Sequence, residues 1–192
     1  MLSEIGEKAK TSVIGVISGS ADIVASVRDN TKQLVVDTVK GAGEVTTASL
    51  GAVADVVSGA VAAVVQSGES VTEGSAEVVG SSLEAVSEVG GDVETAAKEV
   101  SSGAIKGTAE VGGDLGEVAV SAVRGTIDAA GKIGGDSGKL TTAAVVGTID
   151  AADQIGSEAG SAVRKALLNT AALPRQIIEA AISGKPEPSK AE

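Results

Sequence analysis

The fold is decided by residues 123–166, which read VRGTIDAAGKIGGDSGKLTTAA (123–144) and then VVGTIDAADQIGSEAGSAVRKA (145–166). The hexapeptide GTIDAA recurs after 22 residues. That spacing corresponds to six helical turns of about 3.67 residues, so the second copy presents the same helix face as the first. The stretch predicts a helical repeat, and it carries no reactive group.

The same 22-residue frame extends towards the N-terminus and gives seven units over residues 13–166. In every unit the fifth position is apolar and the seventh is Gly or Ala. Apolar or small residues recur every three or four positions, which is the pattern of an amphipathic helix. We expect the packing face to include Ile105, Gly107, Ile127, Ala129, Ile149 and Ala151.

This pattern predicts an all-α protein with four segments. Residues 1–12 form an N-terminal lead-in, and residues 13–166 form seven helical repeats. Residues 167–184 form a C-terminal amphipathic helix, and residues 185–192 form a mobile tail. Each glycine inside a helix costs about 0.8 to 1 kcal/mol of intrinsic helicity relative to Ala, so these helices require packing or an interface.

Two sets of glycines permit two interpretations of the repeat. Glycines at the third position of a unit are Gly15, Gly59, Gly103, Gly125 and Gly147. Glycines at the twelfth position are Gly68, Gly90, Gly112, Gly134 and Gly156, and three of them begin a Gly-Gly-Asp triplet. Either each triplet ends one helix and caps the next, giving an up-and-down array, or glycine lets neighbouring helices approach closely while each helix runs through.

The constant phase of the repeat favours the continuous helix, which would supercoil with a slight right hand. Duplication of a whole hairpin would preserve the phase too, so the up-and-down array stays open. A β-solenoid is a third alternative, because Val, Gly, Ser and Thr are plentiful and the period suits coiled sheets.

The C-terminal segment contains the bulkiest apolar patch. Pro174 suits the first turn of a helix, Gly184 ends it, and Ile177, Ile178 and Ile182 share one face. This helix is either a cap on the repeat or a docking helix for a partner.

Composition argues against catalysis. The chain has no Phe, Tyr, Trp, His or Cys, so it lacks thiolate chemistry, disulfides, the usual zinc ligands and the commonest general base. We therefore expect no enzyme, no catalytic residues, no cofactor and no metal site. The net charge of −11 and the absence of aromatic residues also exclude nucleic acid as a partner.

Residues 45–65 are the one transmembrane candidate, with Asp55 as their single charge. Because a central Asp is costly in a bilayer and Gly, Ser, Thr and Ala offset little of that cost, we do not expect insertion. The N-terminus lacks a basic segment followed by a long apolar one, so we expect no signal peptide. A cytoplasmic location is the default, either free or peripheral on a lipid or inclusion surface.

Units of 22 residues, each made of two elevens and rich in Ala, Val, Gly and Thr, resemble the repeat helices of perilipins, synucleins, exchangeable apolipoproteins and group 3 late embryogenesis abundant proteins. The resemblance spans residues 13–166. It implies a chain that is poorly folded alone and becomes helical on a lipid surface, a storage granule or a partner. The chain departs from synucleins and apolipoproteins because it largely lacks the Lys residues that flank their apolar face. It departs from the strongly hydrophilic late embryogenesis abundant proteins because its mean hydropathy is +0.27.

Two non-enzymatic functions follow from the sequence. The first is a self-packing helical scaffold built on small-residue contacts, with other copies of the chain as partners in a homo-oligomer or filament. The second is an amphipathic coat protein of a lipid droplet or storage granule, or a stress-protective protein of similar repeat type. The two hypotheses differ in what covers the apolar stripe.

Overall fold

The structure of the chain is a computed structural model that describes residues 3–19, 23–42, 46–68 and 70–184. This part of the chain contains nine α-helices and no strand. The helices are α1 (Glu4–Gly19), α2 (Ile23–Ala42), α3 (Thr47–Ser67), α4 (Val71–Glu88), α5 (Val93–Glu110), α6 (Leu115–Ile133), α7 (Ser137–Ile155), α8 (Ser157–Asn169) and α9 (Arg175–Ser183). The all-α prediction is confirmed and the β-solenoid is wrong, because apolar residues recur at helical spacing throughout.

The chain folds back at each Gly-Gly-Asp triplet. Gly90, Gly112 and Gly134 adopt φ of 75°, 71° and 70°, the left-handed conformation that glycine adopts without steric cost. The aspartates that follow are N-caps; Asp114, for example, accepts hydrogen bonds from the amides of Gly116 (2.8 Å) and Glu117 (3.0 Å). The up-and-down array is therefore confirmed, and the preference for a continuous helix was wrong. The phase persists because one helix plus one turn amounts to 22 residues.

The helices form two layers. Helices α1 to α7 each pack most extensively on a helix two positions away in the chain, and α8 packs about equally on α6 and α7, so α1, α3, α5, α7 and α9 form one layer and α2, α4, α6 and α8 form the other. Such a stack of helical hairpins is the architecture of a repeat array, in which each hairpin contacts mainly its neighbours. The core lies between the layers and consists largely of Val and Ala.

Helix α3 is the most apolar element of the array. Within the described residues it is the one helix long and apolar enough to cross a membrane, over Ala48–Ser67, but 72% of that window is buried inside the protein. Residues 53–64, apart from the half-buried Asp55, are all buried. The hydropathy that made residues 45–65 a transmembrane candidate is thus that of a core helix.

The helix ends differ in detail from the segments predicted above. Helix α1 begins at Glu4, inside the proposed lead-in, and packs against α3 like the other helices of its layer. Helix α8 extends to Asn169, and α9 begins after Pro174 and ends at Gly184, which has φ of 65°. The predicted tail at residues 185–192 lies outside the described residues.

Candidate functional site: glycine contacts and surface grooves

Third-position glycines other than Gly15 lie where two helices of the same layer touch through their backbones. A Cβ built on Gly147 of α7 would overlap the carbonyl oxygen of Lys98 in α5, and one on Gly125 of α6 would overlap that of Ala76 in α4. Equivalent overlaps occur between Gly103 and Ala54 and between Gly107 and Ser58. In all four pairs the carbonyl lies 49 positions earlier in the chain. One contact geometry is thus repeated in both layers, and only glycine fits it.

The residues predicted for the packing face are buried, with one exception. Ile105, Ala129 and Ala151 are fully buried, Gly107 is buried, and Ile149 is 6% exposed. Ile127 is half-buried. Ile105, Ile149 and Ala151 belong to one apolar cluster, against which Ile127 packs, whereas Ala129 belongs to the larger cluster around α3. The face is therefore shared between neighbouring hairpins and is not one continuous ridge.

The threonine of the GTIDAA hexapeptide belongs to the same packing surface, which the sequence analysis did not recognise. Thr126 and Thr148 are fully buried, and their hydroxyls donate to the carbonyls of Ala122 (2.9 Å) and Val145 (2.8 Å) in their own helices. A threonine that satisfies its hydroxyl locally fills core space like a valine. The sequence feature that could have indicated this role is the recurrence of Thr directly after the packing glycine, as in Gly125-Thr126 and Gly147-Thr148.

Helix α9 packs against α7 and α8 at the C-terminal end of the array. Ile178 is 1% exposed within the cluster that includes Ile149 and Leu167, while Ile177 and Ile182 are half-buried. This position is that of a cap on the repeat. Docking of another protein on α9 stays a prediction.

A carboxylate on α4 links three helices of the even layer. Glu84 lies 2.8 Å from the ammonium of Lys132 on α6 and 4.0 Å from that of Lys32 on α2, and Lys32 also pairs with Glu88 at 2.5 Å. The hydrogen bond that the Lys132 ammonium donates to the Glu84 carboxylate raises the pKa of Lys132. The Glu84 side chain is 18% exposed, so this pair is less screened by solvent than the others on the surface.

A second ion pair fixes α8 against the end of α7. Both guanidinium nitrogens of Arg164 donate to the carboxylate of Asp153, at 2.7 and 2.6 Å, and this bidentate hydrogen bond lowers the pKa of Asp153. Gly160 leaves the room that the pair occupies, because a Cβ there would overlap an Asp153 oxygen. These charges stabilise packing between helices.

Two open grooves lie on the odd layer. One, of about 690 Å³, lies between α5 and α7 and includes Asp92, Lys98 and Lys139. The other, of about 620 Å³, crosses α3 and α5 and is lined by Ser3, Ala48, Gly51, Ala52, Ala54, Asp55, Ser58, Glu99, Gly103, Lys106 and Glu110. Among the described residues there is no group of three or more carboxylates placed to hold a metal ion.

No family model and no curated protein matches the chain. A search of solved structures finds similarity to a chain described as the crystal structure of the de novo designed helical repeat protein DHR7. The two chains are 20% identical, with a TM-score of 0.48, and the match covers 93% of this chain and 89% of that one. The description of this chain as a helical repeat array rests on its own helix order and glycine contacts.

Proposed function

We propose that the chain is a non-enzymatic structural scaffold that folds by packing its own helices through small-residue contacts. The observation that carries the proposal is the repeated overlap of a glycine with a carbonyl 49 positions earlier, as between Gly147 and Lys98. Backbones that approach this closely leave no space for lipid between the helices of one layer. Because the contacts are made within one chain, they support a compact monomer, and association between copies stays a prediction.

Helix α1 supports the monomeric form. Gly15 occupies the column of Gly59, Gly103 and Gly147, but a Cβ there would meet open space. In the same helix Lys8 stands in the column of Ala52, Ala96 and Leu140, and its ammonium pairs with Glu4 at 2.9 Å. Charged residues of this kind favour solubility at the end of a repeat array, and they lie beside two exposed isoleucines of α1, Ile5 and Ile14.

The coat-protein alternative requires the apolar columns to face lipid. Residues of those columns, such as Val61, Leu83 and Ile105, are fully buried against other helices, which favours self-packing. Circular dichroism in buffer with and without lipid droplets, together with light scattering, distinguishes the two. We expect full helicity and a cooperative melt in buffer, with a mass near 18.5 kDa. Low helicity that rises strongly with lipid would overturn the scaffold.

Replacement of Gly107 and Ala129 by Leu tests the contacts themselves. The first leucine would overlap the Ser58 backbone and the second would enter the filled core, so we expect loss of the cooperative melt. The matched control is Gly131→Leu, where a Cβ meets no atom within 4 Å. If the double variant kept the melting temperature of the control, close packing would not be what holds the array.

A further inference from the structure

We propose that α9 and the turn before it, residues 170–174, form a detachable cap that leaves α7 and α8 and unfolds while the rest of the array stays folded. The inference goes beyond the proposed function and requires only that the array is folded. Four features of the C-terminal end support it: the apolar contacts of α9, its polar contacts, its lack of glycine and its length.

Two buried side chains hold the cap to the array. Ile178 is 1% exposed and is the one buried residue of α9, a helix that the structure describes completely, and Leu173 in the preceding turn is 5% exposed. By contrast, α5 has buried residues along most of its length, from Ala96 to Thr108. Because hydrophobic stabilisation grows with the apolar area removed from water, α9 is held by much less of it than α5 is.

The polar contacts of α9 stay within the helix. Its Arg175 guanidinium pairs with Glu179 at 2.7 Å, and in the described part of the chain no hydrogen bond or ion pair joins α9 to another helix. Helix α8, in contrast, is joined to α7 by the bidentate pair of Arg164 with Asp153. Opening of α9 therefore breaks no polar contact between helices.

Helix α9 also lacks the glycine contact that joins other helices of its layer, because its sequence RQIIEAAIS contains no glycine. Between α5 and α7 this contact brings Gly147 against the carbonyl of Lys98, and between α1 and α3 a similar contact brings Gly59 against the carbonyl of Gly6. The first helix of the layer is thus joined to its neighbour through the backbone and the last is not. We therefore expect the C-terminal end of the array to open first.

The helix is too short to be stable when it is detached. It has 9 residues, and isolated helices of fewer than about 12 to 15 residues are marginal in water. Its N-cap residue, Pro174, makes no side-chain hydrogen bond to the first turn. Undocking and unfolding of α9 are therefore coupled, so its amides lose their hydrogen bonds when the cap opens.

Opening uncovers an apolar surface on the last hairpin. Ile178 belongs to the cluster that contains Ile149 of α7 and Leu167 of α8, and Ala181 and Ile182 pack against the same cluster. When α9 leaves, these contacts are lost and part of the cluster becomes exposed to solvent. The cap therefore controls whether this end of the array presents apolar side chains, while the glycine contacts of the other helices stay intact.

The test is native-state hydrogen exchange of the full chain, followed by NMR for individual amides at neutral pH. We expect the amides of Ile178 to Ser183 to be protected roughly a hundredfold less than those in the middle of α5, because a local unit opens at a lower free energy than the whole protein. Equal protection of α9 and α5 would overturn the inference, since α9 would then open only on global unfolding. Exchange of α9 at the rate of an unfolded peptide would overturn it too, since the cap would not be docked.

A matched pair of variants removes the same side chain from the cap and from the array. Ile178 and Ile105 are 1% and 0% exposed. We expect Ile178→Ala to speed exchange in α9 by roughly thirtyfold or to abolish its protection, with no change in the exchange of α5 or in the melting temperature. Ile105→Ala should speed exchange in α5 and lower the melting temperature. If both variants lowered the melting temperature equally, α9 would be part of the cooperative core and the inference would be wrong.

Failure of the scaffold and failure of the cap give different results. A wild-type chain with no protected amides in α5 would overturn the proposed scaffold and the cap with it. A chain in which α5 and α9 are equally and strongly protected would overturn the cap alone.

Discussion

The middles of the helices and the turns between them both depend on glycine, for opposite reasons. Gly147 has ordinary helical backbone geometry but no space for a side chain, because the Lys98 carbonyl fills it. Gly112 has open space around it but a φ of 71°. The first glycine is required by a distant part of the chain and the second by its own backbone. Side-chain volume therefore matters at one site and backbone conformation at the other.

The largest effect is expected at the helix middles. Gly147→Ala should lower the free energy of unfolding by about 2 to 4 kcal/mol, because two helix backbones must separate to admit the methyl group. Gly131→Ala is the control in α6, and it should raise stability by about 1 kcal/mol through helix propensity alone. Urea denaturation measures both changes. Changes of the same sign would mean that the close contact does not determine stability.

A smaller effect is expected at the turns. Gly112→Ala should cost about 1 to 2 kcal/mol, since an L-residue is strained in the left-handed conformation whatever the space around it. Gly112→Asn should cost less, because Asn tolerates this conformation better than other residues. Thermal melts of the two variants would sharpen the comparison. If Gly112→Ala destabilised the protein more than Gly147→Ala does, the expected order of the two effects would be reversed.

The smallest effect is expected at the caps and depends on pH. Hydrogen bonds from the Thr95 hydroxyl, and then from the Thr95 and Glu94 amides, lower the pKa of Asp92 from 3.8. A carboxyl with a lowered pKa stabilises the fold above its unfolded pKa, and this stabilisation is lost as the pH falls through the folded value. The contribution is therefore complete at neutral pH, starts to fall near pH 4 and is lost only when the pH drops below the lowered folded pKa.

Asp92→Asn should remove that pH dependence while keeping a capping side chain. We expect a loss of about 0.3 to 1 kcal/mol at pH 7, because the charge also interacts favourably with the helix N-terminus. Urea denaturation of both proteins between neutral pH and pH 3 gives the difference. If the free energies of unfolding of the variant and the wild-type chain differed by the same amount at pH 7 and at pH 3, the charge of Asp92 would not be the source of the difference.

The sequence predicted much of the local structure. GTIDAA at 125–130 and 147–152 placed Ile149, Ala129 and Ala151 on buried faces, and the triplets placed Gly112 and Asp114 at a helix end as one of two interpretations. Helix propensity, helix capping and the left-handed preference of glycine act over a few residues, so they can be predicted from residues that are adjacent in the sequence. The continuous helix was wrong, but the close approach that it assigned to glycine occurs at third-position residues such as Gly147, whereas the twelfth-position glycines end helices.

Residues that meet across the layers could not be predicted in the same way. Nothing near Ser58 or Lys98 indicates that a glycine 49 positions later will touch its carbonyl, and Asp55 and Glu99 resemble any exposed carboxylates until α3 and α5 lie side by side. The half-buried state of Ile127, beside the buried Ile105 and Ile149, likewise depends on which helix covers it.

By itself the sequence determined that the chain is helical, that its unit is 22 residues and which face of each helix is apolar, because period and hydropathy are properties of the helix itself. Only the tertiary structure decided that the helices turn back and that every second helix is the partner. A constant helical phase is compatible with one long helix or with a stack of hairpins. The choice between them depends on contacts such as Gly147 with Lys98, which exist only after the chain has folded.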